Sequence, residues 1–254
     1  MKKLKNKKTL RLAQDKIKIA AFDIDGTIFR SSLLIELVNG LVKEGIFLKK
    51  AHDEIEDDYH AWLNRIANYD TYINKVAEVY FKHIVGCKSK DVEKIGRVVM
   101  SRQKKRVYRF TRDLVTDLKK HGYYLIAISG SPMFMVKDFA KHLGFDMAFG
   151  TALKTNKGLF TSEFAQRDSY DKKSKLLMKI VEQLGISPDW KKSVAVGDSA
   201  TDISMLELVG KPIAFNPDGI LVDYAKKHGW RIVVERKNIV YDIEKFDFVH
   251  YKNQ

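Results

Sequence analysis

Two carboxylates one residue apart, in the run Asp23-Ile24-Asp25-Gly26-Thr27, close an apolar stretch from Ile17 to Ile24. Strand-end carboxylates are where open α/β sheets place their chemistry. On a straight strand the two side chains would face opposite ways, but Gly26 permits the chain to curl beyond the strand. Three other places fit with this pair. Ser129-Gly130-Ser131-Pro132 offers a hydroxyl and backbone N–H groups where a helix opens, a setting that suits phosphate. Lys172-Lys173-Ser174-Lys175 offers point charges at another helix start. Gly197-Asp198-Ser199-Ala200-Thr201-Asp202 follows the apolar run Val194-Ala195-Val196, and a carboxylate there suits magnesium, a hard cation. Each place also has a plain structural reading. These are a turn with solvated acids, a helix N-cap, charged surface, and a first-turn helix acid.

The elements that must position these residues alternate. Strands are expected at 17–24, 123–129, 193–196, 212–215 and 230–234, with a strand and hairpin over 146–164 that turns at Asn156-Lys157-Gly158. Helices are expected at 111–121, 132–143, 171–184, 201–209 and 218–228. This alternation predicts a mainly parallel sheet with helices on both faces. Between Ser32 and Arg106 the apolar residues recur at helical spacing instead, from Leu33-Leu34 and Leu37-Val38 to Val98-Val99. That predicts about four helices inserted into the chain, with their aromatic residues serving as packing. The expected division is a flexible basic arm at 1–15, a core from 16–31 and 107–254, and a helical insert at 32–106.

Taken in order, strand-Asp-x-Asp, strand-Ser, helix-Lys and strand-Gly-Asp-x-x-x-Asp resemble the haloacid dehalogenase (HAD) superfamily over roughly residues 17–234. The likeness is nearest to its phosphoserine-phosphatase-like branch (subfamily IB), to which Ala214-Phe215-Asn216-Pro217-Asp218 is also similar. The resemblance implies a Rossmann-like α/β core with an inserted α-helical cap. It implies a phosphatase, a phosphoric monoester hydrolase that works through an aspartyl-phosphate on Asp23. Asp25 would serve as general acid and base. Magnesium would be held by Asp23, the Asp25 carbonyl and Asp198, with Asp202 supporting the metal site or the lysine. Ser129, the Gly130 N–H and Lys173 would bind the phosphoryl oxygens, Lys173 being the lysine whose spacing to the apolar helix face matches. Magnesium and the lysine would favour ionised Asp23.

Two positions depart from the family pattern. Ser32 stands where phosphoserine phosphatases carry a glutamate that reads the serine amine, so serine phosphate is not the favoured substrate. Thr201 stands where many relatives have asparagine. A small-molecule phosphate ester is the expected partner, and a phosphotransferase would use the same intermediate.

Across its 254 residues the formal charge is +14. Lysines and arginines crowd residues 1–18, and a second cluster runs from Arg102 to Arg109. Such patches can draw an enzyme to a polyanionic substrate or surface. The alternative is a catalytically silent basic module that binds nucleic acid or anionic membrane. No apolar run spans a bilayer, and the basic N-terminus lacks the apolar core of a signal peptide. With Cys87 as its single cysteine, the chain reads as cytoplasmic.

Overall fold

The computed structural model describes residues 16–166 and 173–243. The expected basic arm at 1–15, the neighbouring Lys172 and the last eleven residues lie outside the described residues. An eight-stranded sheet in the order β4-β3-β2-β1-β5-β6-β7-β8 organises the rest. The strands are β1 (Ile19–Asp23), β2 (Tyr124–Pro132), β3 (Met147–Asn156), β4 (Leu159–Gln166), β5 (Val194–Gly197), β6 (Lys211–Phe215), β7 (Arg231–Arg236) and β8 (Ile239–Ile243). From β3 through β2, β1, β5 and β6 to β7 every pairing is parallel, and β4 and β8 add antiparallel edges.

Both faces of the central strands are buried, so these strands read as continuous apolar runs. Along β1, Ala20 and Phe22 join one hydrophobic cluster while Ile19 and Ala21 join the other. On β2, Leu125 and Ala127 go one way, and Ile126 and Ile128 the other. The first cluster continues into four helices that follow β1: α1 (Leu33–Lys43), α2 (Lys50–Leu63), α3 (Tyr69–Ile84) and α4 (Ser89–Gln103). Helix α1 shows why this stretch is helical. Leu33, Leu34, Leu37, Val38 and Leu41 form one buried stripe, and Ser32 caps its first turn. Helices α5 (Arg109–Lys120) and α6 (Met133–Leu143) also belong to this face. Helices α7 (Lys173–Gln183), α8 (Ile203–Leu206) and α9 (Gly219–His228) cover the other.

From β1 the chain builds outward through β2 to β3, then crosses to β5 on the opposite side of β1. This reversal opens a crevice at the carboxyl ends of β1, β2 and β5, the place where open α/β sheets bind ligands. Strand register aligns the pieces. Asp23 pairs with Ile128, and Phe22 pairs with Val196. Ser129 and Asp198 therefore emerge on either side of β1, both one residue beyond the level of Asp23.

Two expectations need correction. The helix expected over 201–209 is instead a 3-10 turn, Ala200–Asp202, followed by the single turn α8. The Asp202 carboxylate accepts the Asp198 and Ser199 N–H groups and tightens the chain there. Strand β8 was not anticipated. Its residues are mostly exposed, so no buried apolar alternation marks it, and an Arg231–Asp242 ion pair bridges it to β7. Among the described residues no helix is long and apolar enough to cross a membrane.

Candidate active site

Asp23 ends β1 and is buried. Its Oδ1 accepts a hydrogen bond from Lys173 Nζ at 2.6 Å, while its buried Oδ2 has no hydrogen-bond partner. Past Asp23 the chain turns back on itself. Ile24 O accepts from the Ile28 and Phe29 N–H groups, and Gly26 takes a positive φ of 84°. A methyl group on Gly26 would collide with the Asp198 carboxylate, so both the φ and the close approach require glycine here. The turn carries Asp25 to a different set of partners from Asp23. Asp25 Oδ2 accepts the Ser129 hydroxyl, and its Oδ1 accepts the Leu33 N–H at 2.5 Å.

Helix α1 is thereby tied to the site. Its Leu34 N–H donates to both Ser32 and Ser131, at 3.2 and 3.1 Å. Ser32 is buried as the helix cap. Ser129 itself is buried and accepts the Ser131 N–H at 2.9 Å, with Gly130 between them in β2.

Lys173 opens α7 and is buried. It bridges Asp23 and Asp202, with 2.5 Å to Asp202 Oδ1. Lys175, two residues on, is exposed. Asp198 follows β5 and accepts the Thr27 hydroxyl at 2.9 Å. Thr27 lay within the first run but was given no duty of its own; its backbone carbonyl is in turn held by the Thr111 hydroxyl. The loop that carries Asp198 is braced by Asp218, which accepts the Ala200 and Leu221 N–H groups at 2.9 and 2.7 Å. Thr201 is exposed and meets only Ser199 among the hydrogen bonds of this loop.

The structure therefore brings Asp23, Asp25, Ser129, Lys173, Asp198 and Asp202 into one crevice. Ligand oxygens of Asp23, Asp198 and Asp202 lie within 4.8 Å of one another. Three carboxylates, two of them buried and Asp198 half-buried, against one ammonium leave a deficit of positive charge. Burial pushes Asp23 up to about 7, against the pull of Lys173. Lys173 favours ionised Asp23, as expected of it together with magnesium, while burial is the larger influence. Asp198 is raised well above the carboxylate range by burial, then by Asp23 and Asp202. Asp25 is raised by burial and partly restrained by its bonds from Ser129 and Leu33. Burial alone would lower Lys173, yet Asp202 and Asp23 hold it above its ordinary value, so it stays charged. An all-oxygen donor set with an orphaned Asp23 Oδ2 fits a hard divalent cation such as magnesium.

Above the carboxylates lies a cavity of about 580 Å³, lined at one end by Gly26 and Ser31. Tyr59, Trp62, Tyr69 and Tyr72 also line it. These aromatics pack against one another as expected, and they also line the cavity. The periodicity of a helix marks its covered face and cannot show what that face covers.

A profile of the haloacid dehalogenase-like hydrolase family matches residues 20–207. The phosphoserine phosphatase of Archaeoglobus fulgidus is 27% identical over 210 residues, which are 82% of this chain. The chain spans about half of that relative, 55% of its length. A solved structure of a phospho-aspartyl intermediate analogue of phosphoserine phosphatase is 26% identical with a TM-score of 0.56, and the match covers 88% of this chain and 95% of that one. A protein of unknown function from Bordetella pertussis Tohama I superposes with a TM-score of 0.71 at 18% identity, covering 86% of this chain and 98% of the other. The family profile runs from the strand that carries Asp23 to just beyond Asp202, over the span that builds the crevice, and the chain belongs to the haloacid dehalogenase-like hydrolase family.

Proposed function

We propose that the protein is a magnesium-dependent phosphate monoester hydrolase with Asp23 as its nucleophile. The observation that carries this reading is the split environment of the Asp23 carboxylate. Lys173 fixes one oxygen, and the other is buried without a hydrogen-bond partner, as an oxygen reserved for a cation would be. Its relatives named above as phosphoserine phosphatases support the reaction class.

Asp23 attacks phosphorus, an aspartyl-phosphate forms, and the bond to the ester oxygen breaks. Asp25 gives a proton to the departing oxygen. It then takes one from the water that cleaves the intermediate, releasing phosphate and restoring Asp23. A raised Asp25 suits a group that must hold a proton at neutral pH. The Ser129 hydroxyl and the Gly130 N–H orient the phosphoryl oxygens, and Lys173 offsets their charge. Asp23, Asp198 and the Asp25 carbonyl would hold magnesium, which would supply positive charge toward the phosphate and favour ionised Asp23. Asp202 holds Lys173 and the Asp198 loop in place. Residues 32–106 serve as a cap over this core of 16–31 and 107–254, shielding the reacting groups from bulk water. The single cysteine suits a reducing, cytoplasmic setting.

Ser32 is spent on capping α1 and faces no substrate, so serine phosphate is not the substrate favoured here. The test is hydrolysis of p-nitrophenyl phosphate with magnesium. Turnover should be lost on chelation and in Asp23→Asn. Turnover that survives both changes would rule the reading out.

A further inference from the structure

We propose that the cavity above the carboxylates selects phosphate monoesters whose alcohol carries a flat heterocyclic ring, as a nucleoside 5′-monophosphate does. This rests on the phosphatase reading of the site. Three observations carry it.

The first is size. Pockets of about 300–1,000 Å³ hold drug-sized ligands. At about 580 Å³ this cavity has room for a nucleoside and much more than a three-carbon alcohol would fill.

The second is the wall. Trp62 and Tyr72 stack at 5.4 Å with an 8° tilt. Tyr59 lies 5.5 Å from Tyr72, and Tyr69 lies 5.5 Å from Trp62. Four rings from the end of α2 and the start of α3 thus form one continuous aromatic surface. Tyr59 and Tyr69 remain 37% and 39% exposed although they are part of this cluster. Rings that pack only for stability have no reason to leave that much face open along a cavity. A base stacked on such rings gains roughly tenfold or more in affinity.

The third is charge. The acid nearest to the missing amine-reading position is Glu36, one helical turn beyond Ser32. It is already matched: Arg106 approaches it at 2.7 Å, and the Ser31 hydroxyl donates to it at 3.0 Å. Glu36 and Arg106 thus offset each other, and Arg30, His52 and Glu56 also line the cavity. Beside these polar groups, what the wall offers a substrate is stacking on its rings. The same cavity reaches Gly26, which lies against the Asp198 carboxylate, so the aromatic wall and the acid cluster adjoin, and the proposal places the ring on the first and the phosphate at the second.

The experiment compares adenosine 5′-monophosphate with ribose 5-phosphate. In both the leaving oxygen is the primary C5 oxygen of a ribose, and the nucleotide adds the base. The expected result is a kcat/KM at least tenfold higher for the nucleotide. In Tyr59→Leu and Trp62→Leu that ratio should fall toward one, mostly through KM. Tyr59 is partly exposed, so its variant is expected to stay folded. Calorimetric titration of both compounds into Asp23→Asn with magnesium gives a readout that needs no turnover, and tighter binding of the nucleotide is expected there too. Equal kcat/KM or equal affinity for the two compounds would overturn the proposal, as would a nucleotide advantage that survives in both variants. Failure of the phosphatase reading would look different, as no hydrolysis of any phosphate ester.

Discussion

Asp23 and Asp25 are separated by one residue, yet the fold gives them different partners. Asp23 meets an ammonium with one oxygen and no donor with the other, while Asp25 meets a hydroxyl and an amide. Exchanging Asp23 for Asn should reduce turnover by about 10³-fold or more, and Lys173→Gln should cost about 10²-fold. Lys173→Gln should also destabilise the chain by about 3–5 kcal/mol, because it strands Asp23 and Asp202 in the interior. Thermal unfolding and steady-state kinetics check both. The acid cluster also predicts a pH dependence. Asp23 and Asp198 keep their protons to higher pH when folded than when unfolded. The folded chain therefore binds more protons between pH 4 and 7, and its stability must fall as pH rises through that window. In chelator, the melting temperature should drop across this range by several degrees. Magnesium should restore it, and Asp198→Asn should flatten the drop. A melting temperature in chelator that rises from pH 4 to 7 in parallel for both proteins would refute the assignment.

At the scale of elements, the site depends on how strands end and helices begin. Gly26 turns the chain after β1, and the start of α1 is pinned by Asp25, Ser32 and Ser131. Gly26→Ala places a methyl group against Asp198 and forces an alanine to a φ of 84°. Activity should fall by 10²-fold or more while the strain costs about 1–2 kcal/mol, measurable by urea unfolding. These local features explain what could be read in the chain. Asp23, Asp25, Ser129 and Asp198 were legible because each stands at or within two residues of the end of a buried apolar run. Spacing to the apolar helix face favoured Lys173 over Lys172 and Lys175; Lys173 is buried and Lys175 exposed, while Lys172 lies outside the described residues. The ion pair of Glu36 with Arg106 and the bond from Thr111 to Thr27 join residues 70 and 84 apart. No local pattern signals such contacts. The polar hairpin of β7 and β8 was hidden for another reason, since an exposed strand carries no apolar alternation.

For the whole molecule, the sheet order sets the crevice, and α1, α2 and α3 line the cavity beside it. A basic arm that draws the enzyme to polyanions would act on encounter and leave the chemistry untouched. Deleting residues 1–15 should therefore leave kcat/KM for p-nitrophenyl phosphate within about twofold, and slow only a large anionic substrate, more so at low salt. Equal losses on both substrates would remove that role. The central claim concerns the bond that forms on Asp23, and it can be read directly. Asp25→Asn slows hydrolysis of the intermediate, so this variant, reduced with borohydride during turnover, should carry homoserine at position 23 in a peptide map. Homoserine at another aspartate, or none anywhere while phosphate is still released, would contradict the account.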